Sequence, residues 1–232
     1  MKSIYDRTRK LIGDAGLNKL LSSAVIVFGL GCVGGYTVET LARTGLGRVG
    51  IVDHDTIDIT NINRQIIALS GTVGKRKTDV FSERIGDINA DIKIDTFNKK
   101  LTEENIGEFP LEEYDYIIDA IDDVSAKITL IEKASAIDKP IISSMGTGNK
   151  IDPSRFKITS IGYTHTCPLA KRVRKELSIR GLREVNNLKV LFSDEPPGAF
   201  NGSGGPASIA FVPAAAGILI AGEVVRDLLV GE

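Results

Sequence analysis

A cluster of polar residues between positions 60 and 77 has the chemistry needed to bind a triphosphate. The stretch TNINRQIIALSGTVGKRK contains Asn61, Arg64 and Gln65 within five residues, and Lys77 follows twelve residues after Gln65. Arginine and lysine can neutralise charge that develops on a departing β,γ-pyrophosphate, while the two amides orient its oxygens. A nicotinamide site has no use for two cations aimed at one phosphate end, so the segment favours ATP over a dinucleotide.

A glycine-rich turn precedes this cluster. Gly29, Gly31 and Gly34 in VIVFGLGCVGG form the pattern G-x-G-x-x-G between an apolar run and a helical pattern. The first glycine permits a tight turn, the second lets backbone approach phosphate, and the third packs the helix on the sheet. Asp53 ends the next apolar run, where it would accept hydrogen bonds from ribose hydroxyls. Taken alone, the turn fits an adenine dinucleotide and ATP equally well.

Carboxylates follow a later apolar run. The sequence DAIDD places Asp119, Asp122 and Asp123 where the fourth predicted strand ends. Ligands of open parallel sheets bind at the carboxyl ends of the strands, and Mg²⁺ is held by carboxylate and phosphate oxygens. We therefore expect a carboxylate here to hold Mg²⁺ against the α-phosphate. Lys127 and Asp123 either line the same pocket or form a surface ion pair.

The elements that must position these residues alternate between strands and helices. Apolar runs predict strands at about 24–29, 48–53, 92–97, 114–120 and 139–144, and helical patterns lie at about 33–43, 75–88 and 125–137. This alternation predicts an α/β fold, a Rossmann-like, doubly wound and mostly parallel sheet with right-handed crossovers.

The C-terminal part is less regular. RFKITSI alternates like an antiparallel strand, PLAKRVRKELSIRG predicts a basic helix, and a Gly/Pro/Ser-rich stretch predicts a mobile loop over about 194–206. A strand ending at Val212 and a buried helix starting at Pro213 then return to the core. We expect one domain over 1–232, with a nucleotide-binding core at about 22–150. A substrate-facing subregion at about 151–232 adds the antiparallel strands.

The amino-acid composition limits the kinds of partner that the protein can bind. The 232 residues are 42% hydrophobic and 25% charged, with a net charge of −1, so a nucleic acid must bind a local patch. Basic residues cluster in the predicted helix and just beyond it, against the single acid Glu176. They are Lys171, Arg172, Arg174, Lys175, Arg180 and Arg183. Such a cluster is either a solvated helix face or a surface that contacts backbone phosphates.

Cysteine usage and hydropathy indicate a cytoplasmic protein. Cys32 and Cys167 form no CxxC pair, which gives neither a disulfide framework nor a four-thiolate zinc site. The charged N-terminus has no signal-peptide core. The uncharged run 208–222 is short and interrupted by Pro213, so we expect no membrane span. Cys167 precedes a proline at a helix start, where a thiolate can be stabilised, but simple packing is the favoured interpretation.

The motifs GLGCVGG, DHD, TNINRQ, TVGKRK and DAIDD resemble the ThiF-type adenylation domain of the ubiquitin-activating superfamily, in the family's order over about residues 7–150. The superfamily includes the bacterial enzymes that adenylate the thiamine and molybdopterin sulfur carriers. The resemblance implies that Asp53 binds ribose and Asp122 holds Mg²⁺. The implied ATP contacts are Gly29, Gly31, Cys32, Gly34, Asp53, Asp55, Asn61, Arg64, Gln65, Lys77 and Asp122.

Catalytic roles and a partner subunit follow from the same resemblance. It implies catalytic roles for Arg64, Lys77 and Asp122, and for Arg7 in DRTRKLIG, which would reach into the partner's site in a homodimer. Cys32 occupies a slot that is usually glycine in the superfamily. Only its backbone is therefore expected to touch phosphate, although its side chain could crowd the loop.

Over about residues 4–230 the chain is similar to the tRNA threonylcarbamoyladenosine dehydratase family. The stretches that carry the similarity are ETLARTGLGRVGIVD, TNINRQIIALSGTVGKRKTDV, GTGNKIDPSRFKITSI and TCPLAKRVRKEL. The resemblance implies ATP-dependent cyclisation of N6-threonylcarbamoyladenosine in tRNA, next to the anticodon, through an acyl-adenylate of the threonyl carboxylate. It further implies tRNA binding by Lys171, Arg172, Arg174 and Lys175, and leaves room for a sulfur-transfer protein as a partner.

Two alternatives remain open at the level of sequence. One is an adenylyltransferase that activates a ubiquitin-like sulfur-carrier protein, although such enzymes often carry two CxxC zinc pairs that this chain lacks. The other is a non-catalytic module that binds an adenine or nicotinamide nucleotide, for which replacing Arg64 would change nothing.

Overall fold

A computed structural model describes residues 3–182, 188–196, 198 and 206–230. Its centre is one seven-stranded sheet with the order β3-β2-β1-β4-β5-β7-β6. The strands are β1 Ala24–Phe28, β2 Arg48–Val52, β3 Lys93–Phe97, β4 Tyr116–Asp119, β5 Ile141–Ser144, β6 Phe156–Ser160 and β7 Lys189–Ser193. All neighbours pair in parallel except β6 and β7, which are antiparallel.

Within the described residues, six α-helices surround the sheet. They are α1 Asp6–Ser22, α2 Cys32–Thr44, α3 Lys77–Ile88, α4 Val124–Ala136, α5 Pro168–Ile179 and α6 Phe211–Val230. None of the helices in the described ranges combines the length and the apolar character that a membrane crossing requires.

The sheet is buried on both faces, as the apolar β1 sequence requires. Every β1 residue is buried, and successive side chains point to opposite faces. Val25 and Val27 belong to the core cluster that includes α2 and α6, whereas Ile26 and Phe28 pack with α4 residues on the other face. A doubly wound sheet follows directly from this alternation.

The strand register brings the candidate chemistry to one edge. Phe28, the last residue of β1, lies opposite Val52 at the end of β2 and opposite Asp119 at the end of β4. The chain reverses order between β1 and β4, which is the switch point where open α/β sheets bind ligands. The segments that follow these three strands therefore meet.

The α/β prediction and its five parallel strands are confirmed, and so are the antiparallel strand near 156–160 and the basic helix. The predicted strand ending at Val212 is wrong, because α6 begins at Phe211 and includes that residue. Pro213 sits inside the first turn, where backbone N–H groups lack intrahelical partners, so proline is tolerated. Helix α1 and strand β7 were not predicted from the sequence.

Candidate active site

A cleft of about 960 Å³ opens at the carboxyl ends of β1, β2, β4 and β5. Ten of the eleven residues predicted to contact ATP line it. They are Gly29, Gly31, Cys32, Asp53, Asp55, Asn61, Arg64, Gln65, Lys77 and Asp122. Gly34 is the exception, because it does not line the cleft. The cleft thus gathers side chains from four separate segments of the chain.

Two glycines shape the floor of the cleft. Gly29 has φ of +87°, a conformation that L side chains rarely adopt, and it leads from β1 into the turn before α2. A Cβ on Gly34 would lie 1.8 Å from the carbonyl oxygen of Gly29, so only glycine allows α2 to start this close to β1. The N-terminus of α2, with its free N–H groups, consequently faces the cleft.

Asp53 is fixed by backbone donors. The N–H of Leu30 donates to Oδ2 of Asp53 at 2.6 Å, and the N–H of Asp55 donates to Oδ1 at 2.8 Å. The carboxylate is buried, so these bonds replace water. Asp53 thereby ties the glycine turn to the end of β2.

Lys77 lies buried at the N-terminus of α3 and faces two carboxylates. Its ammonium is 2.7 Å from Oδ2 of Asp55 and 3.7 Å from Oδ2 of Asp53. Burial raises the pKa of Asp55, but the hydrogen bond and charge of Lys77 lower it by more, so the net shift is downward. Lys77 is thus a buried cation that lines the cleft beside two carboxylates.

The segment 58–65 forms another part of the cleft wall. Asp58 caps the short 3₁₀ helix Ile59–Asn61 in a reciprocal capping box. The guanidinium of Arg64 donates to the carbonyl oxygen of Thr60 at 2.8 Å and to Oδ1 of Asn63 at 2.9 Å, which fixes its direction.

Gln65 carries an unpaired polar atom at the cleft. Its Oε1 atom is buried and has no hydrogen-bond partner among the described residues. Buried polar atoms are normally paired, and Gln65 lines the cleft, so a polar ligand would satisfy this atom. Together with the glycine cradle and the two cations, this orphaned oxygen fits a nucleotide.

The Cys32 side chain does not crowd the phosphate loop. Its thiol turns away and donates to the carbonyl oxygen of Arg64 at 2.7 Å, which joins the start of α2 to the 58–65 wall. Burial raises the pKa of Cys32 to about 12, and the nearby charge of Arg64 offsets only part of that effect. The thiol is therefore protonated at neutral pH.

Asp122 is the carboxylate best suited to a metal. It is exposed, lines the cleft, and has no hydrogen bond or ion pair to any other described residue. The ligand atoms of Asp53, His54 and Asp55 also lie within 4.8 Å of one another. However, each oxygen of Asp53 already accepts a backbone N–H, and Oδ2 of Asp55 pairs with Lys77. The donor set therefore favours Asp122 for Mg²⁺.

Lys127 and Asp119 form a buried pair beneath the 120–123 loop. The expectation of a surface ion pair between Lys127 and Asp123 is wrong, because Lys127 is 0% exposed and bonds to Asp119 at 2.9 Å. Ser143 donates to the same Asp119 oxygen at 2.5 Å, while Oδ1 of Asp119 accepts the N–H of Ile121. Asp119 therefore supports the loop from below and does not line the cleft.

Arg7 lies outside this cleft. It is exposed in the first turn of α1, and its side chain forms no ion pair or hydrogen bond with the rest of the described chain. Nothing within one protomer brings it to the site. A catalytic role for Arg7 remains a prediction, and it would require a second copy of the chain.

The basic helix α5 exposes Lys171, Arg172 and Lys175. Arg174 differs, because it is half-buried and its guanidinium donates to Thr164 and to the carbonyl oxygen of Ile161. Arg180 pairs with Glu132 at 2.5 Å, and Arg183 lies outside the described residues.

Cys167 is buried as expected from packing, with 3% of its surface exposed. Of the predicted mobile loop, residues 197 and 199–205 lie outside the described residues. Asp194 and Glu195 are anchored, since Asp194 pairs with Arg155 and Glu195 accepts the N–H groups of Ile151 and Asp152.

Two lysines that line the cleft were not predicted from the sequence. Lys99 and Lys100 line the cleft directly after β3. The signal was available in FNKKL, because the carboxyl end of a third parallel strand must reach the same edge of the sheet.

Comparison with known proteins agrees with this geometry. The model of the ThiF family matches residues 5–231. The tRNA threonylcarbamoyladenosine dehydratase of Bacillus subtilis is 42% identical over 97% of this chain and 94% of its own length.

The Escherichia coli tRNA threonylcarbamoyladenosine dehydratase is similar in sequence and in structure. By sequence it is 36% identical over 75% of this chain, and the match spans 65% of its own length. Its crystal structure in complex with ATP superposes with a TM-score of 0.92, covering 97% of this chain and 93% of that chain at 30% identity.

A more distant relative represents the sulfur-carrier class. The adenylyltransferase and sulfurtransferase MOCS3 of Culex quinquefasciatus is 34% identical over 57% of this chain and 30% of its own length. That similarity covers 57% of this chain, whereas the match to the Bacillus subtilis dehydratase covers 97% of it.

Proposed function

Because the chain belongs to the ThiF family, we propose that it catalyses the ATP-dependent dehydration of N6-threonylcarbamoyladenosine in tRNA, next to the anticodon. The observation that carries the proposal is the cleft, where the anion-binding side chains converge in a fold that matches the dehydratases along nearly its whole length. The E. coli dehydratase was crystallised with ATP, which supports ATP as the nucleotide here.

The proposed reaction joins the threonyl carboxylate to the α-phosphorus of ATP, releasing pyrophosphate. A nucleophile of the same modified base then attacks the activated carbonyl, closes a ring and releases AMP. Because this nucleophile is already attached to the substrate, the cyclisation needs no enzyme thiol. The protonated Cys32 and the buried Cys167 are consistent with this.

The chain's main task is to bring two anions together. Arg64 and Lys77 would hold the triphosphate and neutralise the charge that develops on the leaving pyrophosphate. The N-terminus of α2 would receive phosphate oxygens, and Gln65 and Asn61 would orient the nucleotide. Asp53, held by two backbone bonds, would contact the ribose.

A Mg²⁺ ion held by Asp122 would supply positive charge to the phosphates when bound. The carboxylate is free of other partners in the described chain, and α4 begins just after it with Asp123 as its N-cap. A rigid helix start therefore fixes the backbone beside Asp122.

We propose a homodimer with composite sites. The exposed side chain of Arg7 on α1 supports this arrangement, because it has no ion pair or hydrogen bond to the described residues of its own protomer. The exposed cations Lys171, Arg172 and Lys175 of α5 would contact the tRNA backbone. A tRNA substrate and two free thiols fit the cytoplasm.

Mass spectrometry of nucleosides tests the function directly. Threonylcarbamoylated tRNA is incubated with the protein and Mg-ATP, and the modified adenosine should lose the mass of one water only when ATP is present. Arg64→Ala should abolish the loss, and the exposed Arg226→Ala on α6 serves as its control.

Activation of a sulfur carrier would give another result. If tRNA is unchanged and the protein exchanges pyrophosphate into ATP only when a ubiquitin-like protein ending in Gly-Gly is added, the dehydratase proposal fails. The shorter match to MOCS3 speaks against this outcome.

A further inference from the structure

Tyr163 is the most exposed aromatic side chain in the described part of the chain, with 77% of its surface accessible. It ends the short 3₁₀ helix Ile161–Tyr163, which lies between β6 and α5. Its ring has no ring contact or hydrogen bond to other described residues. The nearby His165 differs, because its ring packs edge-on against Phe192 at 5.4 Å.

The backbone under Tyr163 is braced. Ser160 caps the short helix, and the N–H and hydroxyl of Thr164 both donate to the carbonyl oxygen of Ile161. Arg174 of α5 donates to the same carbonyl and to Thr164. The ring is therefore presented on a fixed backbone, which lowers the entropic cost of placing a partner on it.

Cations lie on the side of α5 that contacts the short helix carrying Tyr163. Arg174 lies on the side of α5 that contacts the short helix Ile161–Tyr163. Lys171 lies three residues before Arg174, so the two share that side, and Lys175 follows beside them. Lys171 and Lys175 are exposed, and neither forms an ion pair within the described residues. An aromatic face beside unneutralised lysines matches an unpaired base with its flanking phosphates.

This surface continues into the cleft. Leu169, in the first turn of α5, lines the cleft, as does Gly146. A Cβ on Gly146 would lie 3.6 Å from Sγ of Cys167, the N-cap of α5. The segment 163–169 thus leads from the exposed ring to the cleft wall.

We propose that Tyr163 stacks on an unpaired base of the tRNA while Lys171 and Lys175 contact the neighbouring phosphates. This rests on the proposed function, and it names the group that orients the RNA at the same site. Single-stranded RNA is recognised chiefly by stacking of splayed bases on aromatic rings, and lysines bind the backbone without regard to sequence.

Salt-dependent binding separates the two kinds of contact. Dissociation constants of an anticodon stem-loop RNA carrying threonylcarbamoyladenosine are measured by fluorescence anisotropy at several salt concentrations. Tyr163→Ala should weaken binding roughly tenfold without changing the slope of log K against log salt. Lys171→Ala should reduce the magnitude of that slope by about 0.7. Tyr163→Phe, which keeps the ring, should bind like the wild type.

Three results would overturn the stacking proposal: wild-type affinity in Tyr163→Ala, a loss in Tyr163→Phe equal to that in Tyr163→Ala, or conversion of Tyr163→Ala from dimer to monomer. The last would mean that a second copy covers the ring. Dehydration by the wild-type protein is measured in parallel. If the wild-type protein dehydrates the tRNA but RNA affinity does not depend on Tyr163, only the stacking proposal fails. If RNA affinity depends on Tyr163 but no dehydration occurs, only the proposed function fails.

Discussion

The ammonium of Lys127 lies 2.9 Å from a carboxylate oxygen of Asp119, and both side chains are 0% exposed. The pair sits directly below the 120–123 loop that carries Asp122. Burying two charges is unfavourable unless each is paired and hydrogen-bonded, and here Ser143 and the Ile121 N–H complete the set.

Removing one partner of this pair should destabilise the fold strongly. Lys127→Met leaves Asp119 charged, buried and uncompensated, so we expect the free energy of unfolding to fall by about 3–5 kcal/mol. The double variant Lys127→Met/Asp119→Leu should recover part of the lost free energy of unfolding, because no unpaired buried charge remains. Urea unfolding measures both variants.

The matched control is the exposed pair Arg180–Glu132, which is also close, at 2.5 Å. Arg180→Met should change the free energy of unfolding by about 1 kcal/mol or less, because solvent screens an exposed pair. Equal losses in Lys127→Met and Arg180→Met would contradict the importance assigned to burial.

Cys32 should resist alkylation in the folded protein. Burial raises its pKa to about 12, so at about pH 8 only on the order of one thiol in ten thousand is ionised. Iodoacetamide should leave Cys32 unmodified until urea unfolds the chain, as read by peptide mass spectrometry. Fast labelling of the native protein would show that the thiol is not held against Arg64.

Arg7 and Arg64 should complement one another in mixed dimers. Arg7→Ala and Arg64→Ala are each expected to be inactive alone. After subunit exchange, half of the dimers are mixed, and each has one site with both arginines, giving about a quarter of wild-type activity. No recovery despite demonstrated exchange would rule out a role for Arg7 in the partner's site.

Acid should weaken the antiparallel pairing of β6 and β7 through Asp194. Hydrogen bonds from Lys157 and Arg155 lower its pKa to about 2, below the ordinary value of 3.8. Because the folded pKa is the lower one, the stabilisation is complete above about pH 4 and is lost as pH falls toward 2. The midpoint urea concentration of unfolding is measured between pH 4 and pH 2, and it should fall less steeply with decreasing pH in Asp194→Asn than in the wild type. The same pH dependence in both proteins would contradict this role of Asp194.

The cleft could be predicted because the residues that line it occur in recognisable local sequence patterns. Each of Gly29, Asp53 and Asp122 lies just after a recognisable apolar run, and parallel strands bring such positions to one edge. The roles of these residues toward ATP remain predictions, while their meeting in one cleft is seen directly.

Other features depend on tertiary packing that sequence does not reveal. Strand β7 lies between β5 and β6 in the sheet and pairs parallel with the first and antiparallel with the second, an arrangement that its local sequence does not specify. Lys127 looks like a surface residue of an amphipathic helix, and only the position of Asp119 on β4 explains its burial. Gln65 could be named a ligand from its motif, but its unpaired oxygen became visible only in three dimensions.

Isotope transfer tests the central claim most directly. The threonyl carboxylate of the modified tRNA is labelled with oxygen-18, and the AMP formed with wild-type protein and Mg-ATP is analysed by mass spectrometry. If the carboxylate attacks the α-phosphorus, one labelled oxygen leaves with AMP when the ring closes. Unlabelled AMP accompanying a dehydrated tRNA would contradict activation of the carboxylate by adenylation.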